Sequence, residues 1–286
     1  MKLFTSPLAF VAVAALSSTT SAKSGPISVA YVEVNDNSIT NVGDYTLADG
    51  SNAFDIAIIF AANINYNGSS AVLYNNPNVQ AVLDDADNQI RPLQAKGIKV
   101  LLSILGNHQG AGISNFATQA AAADFASQVS DALNQYGLDG VDLDDEYADY
   151  GTNGTPQPND QSIGWLISAL RTDLGDKLVT FYNYGPASDY LSSSSASIGS
   201  QLSYSWNANY DSYEAPNIPG LSKSQLSPAA IDIPTTPQSD AVSFAQETVA
   251  DGYGVYMTYD LGNGDDSSYI SAITQALYGQ AATYTP

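Results

Sequence analysis

The sequence predicts a single α/β domain folded as a (β/α)₈ TIM barrel. Three observations predict it. Short apolar runs alternate with helical patterns from Ile27 onward, eight such runs can be counted, and no linker divides the 286 residues into two domains.

The strand candidates are residues 27–34, 55–60, 98–105, 140–145, 178–183, 202–207, 229–233 and 254–259. Ile98-Lys-Val-Leu-Leu-Ser-Ile-Leu105 is apolar almost throughout, as a parallel strand covered on both faces must be. Between the strands lie helices with readable ends. Phe125, Val129 and Leu133 recur every four residues and stop at Gly137, a glycine suited to a left-handed helix end. Ile163, Leu166, Ile167, Leu170 and Leu174 form a second stripe entered through Asn159-Asp160. Thr236-Pro237 reads as an N-cap followed by proline in the first turn, with Val242, Ala245 and Val249 facing inward. The last helix carries Ile270, Ile273 and Leu277. Residues 185–200 and 208–224 have too few large apolar side chains, so regular helices are expected to be missing after strands five and six.

The first 22 residues read as an export signal. Lys2 is the basic head, Leu8–Leu16 an apolar run too short to span a bilayer, and Thr20-Ser21-Ala22 a small-residue cleavage site. The expected product is a secreted, extracellular domain of residues 23–286 that reads as a monomer. Two sequons fit that compartment and make Asn67 and Asn153 candidate glycosylation acceptors.

With 8 Lys+Arg against 29 Asp+Glu, the net charge of −21 disfavours phosphate backbones and anionic lipids, so neither nucleic acid nor membrane is expected as a partner. The absence of cysteine removes disulfides, thiolate metal sites and a thiol nucleophile. With one histidine besides, no metal or cofactor is expected and no Ser-His-Asp arrangement is evident. Nineteen tyrosines among few charges suit a neutral, hydroxyl-rich partner such as a glycan.

The densest chemical signal is Asp139-Gly-Val-Asp142-Leu-Asp144-Asp145-Glu146-Tyr147, at the end of the fourth strand. Strand side chains alternate, which places Asp142, Asp144 and Glu146 on one face and Val141, Leu143 and Asp145 on the other. Three acids on one face repel, a costly arrangement that suits shared protons at a catalytic barrel mouth. A solvated acidic turn is the blander reading, and a calcium loop another, although Tyr147 stands where that loop needs glycine.

The spacing Asp139-x-x-Asp142-x-Asp144-x-Glu146 resembles the strand-four signature of glycoside hydrolase family 18. Residues 101–112, 136–148, 225–230 and 252–259 are similar to its endo-β-N-acetylglucosaminidases, so the likeness runs through nearly all of the expected mature chain. The resemblance implies hydrolysis between the two GlcNAc residues at the core of N-linked glycans on glycoproteins, by a retaining, substrate-assisted route. Glu146 would be general acid and then base, Asp144 would orient the substrate acetamide, and Asp142 would tune Asp144. A chitinase, or an inactive lectin-like barrel, are the alternatives. Rim candidates for sugar contact are Tyr182 and Asn183 on strand five, Tyr204, Trp206 and Asn207 on strand six, and Tyr259 on strand eight. Core packing is the competing reading for each aromatic. His108 reads as a loop residue near the glycan.

Overall fold

Continuous burial explains why eight apolar runs become the staves of one wall. In the structure, a computed structural model that describes residues 23–286, these staves are β1 (Ile27–Glu33), β2 (Ile56–Tyr66), β3 (Lys99–Gly106) and β4 (Gly140–Asp144). They are followed by β5 (Leu178–Asn183), β6 (Tyr204–Asn207), β7 in two pieces (Leu226–Ser227 and Ala229–Asp232) and β8 (Val255–Tyr259). The export signal expected at residues 1–22 lies outside the described residues.

Each stave from β1 to β6 pairs in parallel with its successor, and β8 pairs with β1. β7 joins the ends. Leu226–Ser227 pairs with β6, and Ala229–Asp232 pairs with β8. Pro228 sits between them, where its missing N–H ends one ladder before the next begins. The chain is a closed (β/α)₈ barrel of the expected class.

Alternation sorts side chains into two cores. Val29, Tyr31, Ile58, Leu101, Trp206 and Met257 fill the barrel interior. Val32, Ile59, Leu102, Val141, Leu143 and Phe181 face outward against the helices. These are α1 (Pro77–Asp84), α2 (Gln119–Tyr136), α3 (Ser162–Leu174), α4 (Gly185–Ser192), α5 (Gln238–Asp251) and α6 (Ser267–Tyr278). α2 buries Phe125, Val129 and Leu133 and ends on Gly137 at φ 65°. The Asn159 carboxamide oxygen accepts the Gln161 and Ser162 amides at the start of α3.

Three expectations need correction. Residues 185–200 do form helix: α4, then the single turn Ala196–Gly199. The N-terminus of α4 is capped from afar, since the buried Asp145 carboxylate accepts the Ala187 amide at 2.7 Å. After β6 no α-helix forms, as expected, and the chain makes a short strand, Ser212–Tyr213, and a 3₁₀ turn, Lys223–Gln225. In α5, Val249 is 45% exposed, and Ala241, Ala245 and Thr248 form the buried face instead. Thr236 is spent on Asp211 and the Asp232 amide, so Pro237 takes the cap position.

Candidate active site

β4 brings three carboxylates to the barrel mouth in graded surroundings. Asp142 is fully buried and accepts three hydroxyl hydrogen bonds. Tyr31 Oη and Ser103 Oγ donate to Oδ2 at 2.7 and 2.9 Å, and Thr180 Oγ1 donates to Oδ1 at 2.6 Å. Burial lifts its pKa to about 6 against the pull of those donors. Asp144 is 2% exposed, and its Oδ1 is buried with no hydrogen-bond partner. Burial, and after it the Glu146, Asp142 and Asp145 carboxylates, hold Asp144 well above the usual carboxylate range. Glu146 is half-buried, and burial raises it too.

Glu146 lies two residues beyond the end of β4, yet its backbone stays tied to β3. The Gly106 amide donates to Glu146 O at 2.9 Å, and His108 and Gly110 donate to the next two carbonyls. Asp145 faces the other way, as alternation requires, and is held by Ser114, Tyr150 and the Ala187 amide.

Asp144 and Glu146 open into one cleft of about 470 Å³, which Tyr182 and Tyr259 also line. Tyr182 Oη donates to Ala208 O at 3.0 Å, fixing the ring as part of the wall. The other rim candidates stand elsewhere. Trp206 is fully buried beneath the cleft, because its parity points it into the closed interior. Tyr204 begins β6 and lies at the opposite end of the barrel, near Asp55. Asn183 and Asn207 border a separate polar recess of about 250 Å³. Asn207 is spent on structure, donating to Ser212 Oγ and Pro228 O at the break in β7. His108 lies outside the cleft lining, 5.5 Å from the Tyr147 ring, with Nδ1 3.0 Å from Asp149. The two sequon asparagines, Asn67 and Asn153, are on exposed turns.

Residues 28–272 match the glycosyl hydrolases family 18. The chain belongs to this family. Within family 18 it is 72% identical over 265 residues to an endo-β-N-acetylglucosaminidase of Flavobacterium sp. (strain SK1022), covering 93% of this chain and 84% of the relative. It is 34% identical over 270 residues to endo-β-N-acetylglucosaminidase F1 of Elizabethkingia meningoseptica, covering 89% and 79%. Among solved structures, Bacteroides thetaiotaomicron EndoBT-3987 with Man5GlcNAc product superposes with a TM-score of 0.80 at 28% identity. That match covers 93% of this chain, which spans 63% of the longer EndoBT-3987 chain. The same Bacteroides protein with Man9GlcNAc2Asn substrate superposes with a TM-score of 0.76 at 26% identity, over 93% of this chain and 68% of that one.

The family 18 cleft includes residues that the sequence reading passed over. Glu33 ends β1, shares a face with Tyr31, and has Oε2 3.4 Å from Tyr259 Oη. The strand-end rule that found Glu146 could have found it. Tyr210 stacks on Tyr259 with ring centroids 5.7 Å apart. It comes from an irregular loop, where no periodic pattern announces direction. Tyr147, 55% exposed, reaches the cleft through a left-handed backbone at φ 54° that breaks strand alternation.

Proposed function

We propose that this family 18 enzyme hydrolyses the GlcNAc-β1,4-GlcNAc bond in the core of high-mannose or hybrid N-glycans, with retention and with the substrate acetamide as nucleophile. The observation that carries this reading is Asp144: a buried carboxyl with an unpartnered oxygen, next to a half-buried glutamate, in an open cleft. A buried acceptor without a donor is costly, and a substrate N–H supplies the missing donor. Asp144 turns the acetamide so that its carbonyl oxygen attacks the anomeric carbon. Glu146 gives its proton to the leaving oxygen as that bond breaks. The oxazoline-like intermediate is opened by water, whose proton returns to Glu146. Asp142 supports Asp144 from below. The names and bound glycans of the relatives described above support this choice of bond.

The same reading makes the protein a secreted monomer acting on extracellular glycoproteins, with Asn67 and Asn153 as its own glycan sites. The test is intact-mass analysis of a high-mannose glycoprotein after incubation. A single GlcNAc left on each asparagine is expected. An unchanged glycoprotein, with oligomers released from chitin instead, would reject the reading. Glu146→Gln is expected to lower turnover by about 10²–10⁴-fold while glycan binding persists.

A further inference from the structure

Trp206 lies under the cleft, and its one polar atom is committed to a single contact. The indole Nε1–H donates to Tyr31 Oη at 2.7 Å, with the rings edge-on at 90°. An indole N–H can only donate, so the Tyr31 oxygen is the acceptor there. The one proton of Tyr31 is then left for its other neighbour, Asp142 Oδ2. Trp206 is 0% and Tyr31 2% exposed, which denies the hydroxyl a competing partner from solvent. Ser103 fills the second site on Oδ2, and Thr180 takes one on Oδ1. A single lone pair of Asp142 remains, on Oδ1, and three donated hydroxyl protons favour the carboxylate that keeps it free.

We infer that Trp206 is a positioning residue that fixes the direction of the Tyr31–Asp142 hydrogen bond and so keeps Asp142 the ionised, accepting member of its pair with Asp144. The inference rests on the reaction proposed above. The groups facing Asp142 are Tyr31 from β1, Ser103 from β3, Thr180 and Tyr182 from β5, and Asp144 on its own strand, with Glu146 and Asp145 beyond. Hydroxyl protons, with no cation among them, hold its charge. Without the indole N–H the Tyr31 hydroxyl is free to turn away. A carboxylate with one fewer fixed donor binds its proton more tightly.

The experiment compares kcat and KM against pH on a high-mannose glycopeptide for the wild type, Tyr31→Phe and Trp206→Phe. A fourth protein carries benzothienylalanine at position 206, which keeps the indole shape and lacks its N–H. In all three altered proteins the acid limb of kcat should move up by about one pH unit while KM holds. Lost packing alone lowers kcat equally at every pH and leaves the limb in place. If Tyr31→Phe shifts the limb and the isostere does not, Trp206 has no such role. If no protein shifts it, the inference is equally overturned. A wild type inactive on the glycopeptide would instead remove the proposed reaction, so the two failures are distinct.

Discussion

Asp144 destabilises the folded chain at neutral pH. Its carboxyl is buried among three other acids and lacks a partner for one oxygen. A carboxyl whose folded pKa is raised holds its proton after the unfolded chain has released one. Stability therefore falls as pH rises from the ordinary carboxylate value up to the folded one. For Asp142 that window runs from 3.8 to about 6, a loss on the order of 3 kcal/mol when complete. Asp144→Asn should melt at the same temperature as the wild type near pH 4 and several degrees higher at pH 7. Thermal melts across that range test it, and equal melting at pH 7 would show that burying this carboxyl costs nothing. At this scale, strand parity made Asp142, Asp144 and Glu146 legible from sequence. The same parity placed Trp206 on the inward face but could not tell a cleft wall from the closed interior under it.

The elements around β4 act as a clamp on Glu146. Gly106 ends β3 where a Cβ would stand 2.4 Å from the Ala148 nitrogen and 2.5 Å from Glu146 O. Only glycine lets the two chains approach that closely. Gly106→Ala should push the 146–148 segment outward and lower kcat by about 10–100-fold with Glu146 itself intact. Steady-state kinetics beside an unchanged far-ultraviolet circular dichroism spectrum would check it. Wild-type turnover would mean that the segment is not held by this contact. α2 and α3 were readable because their stripes and caps are local. α4 was not, since the group that caps it, Asp145, lies 42 residues away in sequence.

The whole molecule carries a net charge of −21, with three carboxylates lining the cleft. Such a field draws basic glycoproteins toward the mouth and slows acidic ones. Added salt should therefore lower kcat/KM on a basic high-mannose glycoprotein and leave a neutral glycan-asparagine substrate unaffected. Equal salt dependence on both would rule out steering. Barrel closure was legible because strand and helix patterns alternate eight times. The shape of the mouth was not, because it is assembled from strand ends and loops far apart in the chain.

The interruption at Pro228 gives the barrel a seam. The two pieces of β7 make two and three registered pairs with their neighbours, where β2 and β3 make seven. A cylinder that must breathe parts where its stitching is thinnest. Deuterium should enter the amides of residues 226–232 before those of β2 and β3. The first breach would open the wall three staves away from β4 and leave that strand and its two flanking staves still knit together.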